Sequence, residues 1–217
     1  MAKVIGVIQV KGGVGRSTIA TNIAGVMALK NKTALIDCDM PQGTSASWYS
    51  IREQQGKTGS LTAATAKDHK ELVQQVERLS ADHQLIIIDC PPRIAEITRA
   101  ALILSDLCLI PIGASAPEIW ATSDLLTTIE EAKKIKPAVD ARLIWNRYRA
   151  TTSSAQELST AVHIGLGLAE LKTKIGMRVA YSDALARGMT VLEWTDKAAR
   201  DEIGQIATEV AQILRTR

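Results

Sequence analysis

The sequence predicts an α/β fold with a mostly parallel central sheet covered by helices on both faces, and three observations predict it. Residues 3–37 read as strand, glycine-rich loop, helix and strand, the unit that joins parallel strands by a right-handed crossover. Short apolar runs and helical stretches then alternate along most of the chain. Leu85-Ile86-Ile87-Ile88 is apolar without alternation, as a strand buried on both faces must be.

Each element follows in order. Val4–Ile8 is a β-branched strand, Lys11–Gly15 a glycine-rich loop, and Ser17–Leu29 a helix with Ile19, Ile23, Val26 and Met27 in its apolar set. Thr33–Ile36 is a second strand that ends at Asp37, and Thr44–Gln54 is a helix. Further helices are predicted over 69–80, 94–103, 117–135, 153–164 and 196–214, and strands over 84–88, 107–112 and 139–145. Residues 56–66 and 165–190 are less periodic, and loops with a short strand and a short helix are expected there. The last helix gathers Ile203, Ile206, Ala207, Val210 and Ile213 on one face. Its polar face is mixed rather than basic, so docking on the sheet is expected ahead of a membrane surface.

With 217 residues, 46% hydrophobic and 23% charged, the chain suits one core, so residues 1–217 are expected to form a single nucleotide-binding domain. The same balance argues against compositional disorder, a collagen-like fibre and a coiled-coil rod. Phe is absent and aromatics are 3%, which argues against a stacking platform for single-stranded nucleic acid. The net charge is +3; residues 1–129 carry 12 basic and 12 acidic groups, and residues 130–217 carry 14 and 11. The whole excess therefore lies late in the chain, where Arg147, Arg149, Lys172, Lys174, Arg178, Arg187, Lys197 and Arg200 are candidate phosphate contacts. Cys38, Cys90 and Cys108 sit in apolar runs without a metal-binding spacing, and His69, His83 and His163 are scattered. No signal peptide or membrane span is evident, and a cytoplasmic location is expected.

The chemistry concentrates at Lys11-Gly12-Gly13-Val14-Gly15-Arg16-Ser17-Thr18, between the first strand and the first helix. A phosphate chain needs clustered backbone N–H donors, glycines that let it approach, and a helix N-terminus aimed at it. Ser17 suits a Mg²⁺-ligating hydroxyl and Thr18 a donor to the α-phosphate. The segment departs from the ordinary G-x-x-x-x-G-K-[ST] pattern, with Lys11 near its start and Arg16 where lysine is expected. Asp37 and Asp39 end the second strand, and Asp89 ends Leu85–Ile88 before Cys90-Pro91-Pro92. Carboxylates at such strand ends hold metal-bound water or position an attacking one, and spacing alone does not divide those roles.

These segments resemble the ParA/MinD family of deviant-Walker P-loop ATPases, closest to small plasmid-partition ParA proteins. Lys11-Gly12-Gly13-Val14-Gly15 resembles the family's early signature lysine segment, and Asp37-Cys38-Asp39-Met40-Pro41-Gln42 its D-x-D-P-Q segment with Met40 inserted. Ile88-Asp89-Cys90-Pro91-Pro92, Asp106–Pro111 and Ala186–Val191 resemble later family segments, so the similarity runs over about residues 3–214. The resemblance implies a P-loop NTPase fold and an ATP-bound homodimer in which Lys11 reaches the partner's phosphates. It implies that Asp39 positions water, that Ser17, Asp37 and Asp89 form the Mg²⁺ sphere, and that Gly12 to Thr18 cradle the phosphates. Asn146 would stand beside adenine, with Pro117 to Trp120 on a neighbouring loop. Non-specific double-stranded DNA, a ParB-like or cargo adaptor and nucleoid association are implied, with no stable membrane attachment. Arg16 departs from the family's lysine: guanidinium is planar and larger, so binding is a safer expectation than fast turnover. A small-molecule kinase or synthetase and a nucleotide-binding regulator with very low hydrolysis remain the competing readings.

Overall fold

The computed structural model describes residues 2–113, 115–149 and 166–216, and only the backbone at 116–119 and 121. Seven parallel strands form one sheet in the order β3-β2-β4-β1-β5-β6-β7. They are β1 (Lys3–Val7), β2 (Thr33–Asp37), β3 (Leu61–Thr65), β4 (Leu85–Asp89), β5 (Leu107–Ile112), β6 (Ala141–Trp145) and β7 (Ala169–Glu170). The helices are α1 (Arg16–Met27), α2 (Thr44–Gln54), α3 (His69–Ser80), α4 (Glu96–Leu104), α5 (Ala116–Ile135), α6 (Val179–Ala186) and α7 (Lys197–Arg215).

Pleating sends alternate side chains of the central strands into two cores. Ile86 and Ile88 join Leu72 and Val76 of α3, Ile97 of α4 and Leu125 of α5 on one face. Leu85 and Ile87 join Ile19 and Ile23 of α1, Trp48 of α2, and Ile203 and Val210 of α7 on the other. Both faces of β4 are buried, which is why its sequence shows no alternation. The apolar face assigned to the last helix docks here: Ile203, Ile206, Ala207, Val210 and Ile213 are all buried.

The structure shifts several boundaries. The strand after Gln84 takes in Asp89 itself, and the first helix begins at Arg16. Residues 56–66 supply the edge strand β3, and residues 165–190 supply β7 and α6. The helix predicted over 117–135 forms as α5, so Pro117 to Trp120, which the resemblance places on a loop, lie at its start, where proline is tolerated because its missing N–H would have no helical partner. The helix expected over 153–164, with His163, lies outside the described residues. No described helix is long and apolar enough to cross a membrane.

Candidate nucleotide site

Parallel order brings the carboxyl ends of β1, β2 and β4 side by side. Val7 pairs in register with Asp89, and Asp89 with Asp37, so the loop after β1 faces both carboxylates. That loop enters α1 through Gly15, a left-handed residue at φ 93°. No side chain caps the helix and its first turn holds no acid, which leaves the N-terminal N–H groups available to an anion. A Cβ on Gly15 would lie 2.2 Å from Nδ2 of Asn146, so beyond the conformational cost a side chain there would have to displace the Asn146 amide.

Arg16 does not project freely into the loop. Its side chain is buried; Nε donates to the Cys90 carbonyl at 2.8 Å, and one terminal nitrogen donates to the carbonyls of Gln9 at 2.8 Å and Lys11 at 2.6 Å. The other terminal nitrogen lies 3.7 Å from Oδ2 of Asp39. A planar fork can serve three carbonyls and a carboxylate together; a lysine ammonium has neither that reach nor that number of donors. Burial lowers the Arg16 pKa, against the opposing pull of Asp89 and Asp39.

The three aspartates occupy different environments. Asp37 is buried; Oδ1 accepts the Asp39 N–H at 2.9 Å and Oδ2 the Ala46 N–H at 2.8 Å. Burial raises the Asp39 pKa, with Arg16 opposing and Asp37 reinforcing. Asp89 is fully buried, and burial pushes its pKa up to about 7, opposed by the Ser45 and Ser17 hydroxyls and reinforced by Asp37. Ser45 Oγ donates to Asp89 Oδ2 at 2.7 Å, while Oδ1 is buried without a hydrogen-bond partner. A buried, unpartnered carboxylate oxygen is costly, and a hard cation is a ligand that would satisfy it. Mg²⁺ therefore fits this donor set, with the Ser17 hydroxyl as a second hard oxygen. Burial raises both the Cys38 and Cys90 thiol pKa values well, so neither is a nucleophile at neutral pH.

A cavity of about 1040 Å³ adjoins the loop, walled by Gly15, Thr18, Asn146, Tyr148, Lys174 and Tyr181 among others. Asn146 ends up beside the phosphate loop as well as on this wall: its Nδ2 donates to the Val14 carbonyl at 2.7 Å and its Oδ1 accepts the Arg147 N–H at 3.0 Å. Arg147 takes a left-handed φ of 54° to permit this turn.

Sequence reasoning missed Ser45 and Gln9. Gln9, also buried, donates to the Pro111 carbonyl and to Thr122, binding the phosphate loop's entrance to β5 and α5. The available signal was the isolated buried carboxylate at 89, which demanded a donor from elsewhere in the chain. The late basic set proves divided. Arg178 pairs with Glu202 at 3.1 Å and Asp196 at 3.8 Å, Lys174 lies 4.2 Å over the Tyr148 ring, and Arg187 lies 4.9 Å over the Trp194 ring. Lys172 and Arg200 are exposed and line a separate groove beside α7.

An uncapped helix behind a glycine loop, facing strand-end aspartates, defines a P-loop nucleotide-binding protein. The AAA domain family matches residues 2–71 and 56–141. The maintenance of carboxysome distribution protein A of Halothiobacillus neapolitanus is 30% identical over 211 residues, covering 95% of each chain. The chromosome partitioning protein ParA of Myxococcus xanthus is 30% identical over 172 residues, covering 62% of this chain and 60% of that one. The apo McdA structure from Cyanothece is similar in fold, with a TM-score of 0.81 at 16% identity, covering 97% of this chain and 100% of that chain. The chain belongs to the ParA/MinD family of deviant-Walker P-loop ATPases. It is an ATPase, and its general role is ATP-driven positioning or partition of a plasmid, chromosome or other cargo.

Proposed function

We propose that residues 1–217 act as one nucleotide-binding domain that dimerises on ATP, binds duplex DNA without sequence preference and moves a large cargo over the nucleoid in the cytoplasm. The observation that carries this reading is the uncapped N-terminus of α1 facing the register-paired Asp37 and Asp89. Gly12, Gly13, Val14, Gly15, Ser17 and Thr18 cradle the phosphates through backbone and hydroxyl donors. Ser17, Asp37 and Asp89 would form the Mg²⁺ sphere, and the ion would supply neutralisation of phosphate charge. Asp39 orients the attacking water, Arg16 turns its remaining nitrogen to the phosphates, and Lys11 reaches the second subunit's nucleotide. Asn146 supports the adenine side from the cavity wall.

Dimerisation draws support from apolar exposure on the same rim. Met40, Ile94 and Trp120 follow the carboxyl ends of β2, β4 and β5, and are 38%, 39% and 68% exposed. Large apolar groups gathered at one edge favour a protein partner, and a second copy would bring its own Lys11. A ParB-like or cargo adaptor would then stimulate hydrolysis; the carboxysome relative favours a large assembly as cargo, and the ParA relative a chromosome. Arg16, held by three carbonyls, favours slow turnover.

ATP turnover with and without duplex DNA, with mass measured in parallel, tests the reading. A mass near twice 23.4 kDa is expected with ATP and not with ADP. A nucleotide-loaded chain that stays monomeric would defeat the dimer, and a DNA-indifferent dimer would defeat the carrier role.

A further inference from the structure

The N-cap of α2 is Gly43, which has no side chain to offer the helix's first turn. Asp37 substitutes from the end of β2: it accepts the Asp39 N–H with one oxygen and the Ala46 N–H with the other, so it holds both ends of the segment that carries Asp39. Ser45, beside Ala46 and fully buried, donates to Asp89 Oδ2 at 2.7 Å. The other Asp89 oxygen is buried and has no hydrogen-bond partner. One oxygen of Asp89 is thus fixed by α2, while its twin is left open.

We propose that Ser45 is a positioning residue that orients Asp89 for its cation and ties the cation site to the segment bearing Asp39. The proposal rests on the reading of Asp89 as a member of the Mg²⁺ sphere. A hydroxyl bonded to one carboxylate oxygen fixes the rotation of the whole group, so the second oxygen is presented without reorganisation when a cation arrives. Because Ser45 and Ala46 are neighbours in one helical turn, a shift of Asp89 is felt at Ala46 and therefore by Asp37 and the Asp39 N–H. A serine that only satisfied a buried carboxylate would contribute to stability and leave cation dependence alone.

The experiment measures ADP affinity in Mg²⁺ and in excess EDTA for the wild type, Ser45→Ala and Ser45→Cys. In the wild type, Mg²⁺ tightens binding. Ser45→Ala is expected to lose roughly tenfold to a hundredfold of that gain, the cost of removing an outer-shell partner, with affinity in EDTA unchanged. Ser45→Cys, close in volume and a weaker donor, is expected to fall between; it carries the test if the alanine variant does not fold. An equal Mg²⁺ gain in the wild type and the folded variants, whatever their melting temperatures, overturns the positioning role. A wild type that binds ADP with no Mg²⁺ gain overturns the cation reading itself, a distinct failure that removes this proposal with it.

Discussion

The phosphate end of the sheet and the flank formed by β6, β7, α6 and α7 handle charge in opposite ways. At the phosphate end, Arg16, Asp37 and Asp89 are buried and held by carbonyls, amides and one serine hydroxyl. On the flank, cations sit at the surface and several are spent on a local partner, as Arg178 is on Glu202 and Arg187 on the Trp194 ring. The contrast teaches where function is rigid. Buried polar groups in a low-dielectric setting are worth much when paired and cost much when not, whereas an exposed pair contributes little and is screened by salt.

The sharpest way to break the phosphate end is Gly15→Ala. Its φ of 93° disfavours any side chain, and the added methyl would collide with Asn146. Nucleotide binding is expected to fall by about 100-fold or more, since the donor cluster and helix N-terminus are displaced together. Gly12→Ala is the control: its Cβ would meet nothing within 4 Å, so melting temperature should be unchanged. An equal fall in melting temperature for both variants would remove the close-packed account of the loop.

Next in size is Asp39→Ala, expected to lower kcat by about 10²–10³ while ATP binding persists, as for a group that acts mainly in the transition state. Asp89→Ala should instead lose Mg²⁺-dependent binding. Similar affinity losses in the two variants would erase the division of labour between them.

Arg16→Lys follows. The substitution surrenders bonds to Cys90, Gln9 and Lys11, and should destabilise the nucleotide-free chain by about 1–3 kcal/mol, read as a lower melting temperature. Turnover at saturating ATP is expected to rise severalfold, because a compact ammonium approaches the transferring phosphate more closely. A lysine variant no faster in single-turnover hydrolysis would make Arg16 an adequate native ligand.

Asp89 supplies a pH test of the same region. Its folded pKa of about 7 lies above the ordinary aspartate value of 3.8, so between those values the folded chain holds a proton that the unfolded chain releases. The resulting stabilisation is complete below about pH 4 and is lost as pH rises through about 7. In the absence of nucleotide and Mg²⁺, melting temperature should fall by a few degrees across that interval, and Asp89→Asn should flatten the fall. A variant as pH-dependent as the wild type would assign the slope to other groups.

Much of the phosphate end was legible because its chemistry is compressed: a glycine loop, two aspartates two residues apart, and one aspartate closing an apolar run. The parallel sheet was legible from β4, whose burial on both faces removes alternation. Long-range partners were not. Arg16 reaches Cys90 across 74 residues, Ser45 reaches Asp89 across 44, and nothing in the spacing of either residue points to the other. The flank misled for the same reason: Arg178 reads as a free cation in sequence and is met by Glu202 one helix later. Periodicity predicts a helix from residue 117, whereas the family resemblance puts Pro117 to Trp120 on a loop; the helix is what forms, because proline is tolerated in a first turn.

The smallest effect tests the flank against itself. Duplex binding by the ATP-loaded protein should weaken with salt, each phosphate contact adding roughly 0.9 to the magnitude of the logarithmic slope. Lys172 is exposed beside the groove it shares with Arg200, so Lys172→Ala should flatten the slope by about 0.9 per subunit if that groove meets DNA. Arg178 is already neutralised by Glu202 and Asp196, so Arg178→Ala should leave the slope nearly unchanged. Glu202→Gln removes one of those acids and should steepen the slope, provided the fold survives loss of the carboxylate that also accepts from Tyr181. The measurement is binding of two unrelated duplexes across a salt series, with dimer mass checked for each variant. Equal flattening by Lys172→Ala and Arg178→Ala would mean that local ion pairing does not decide which cations meet phosphate, and the contrast between the two regions would then rest on burial alone.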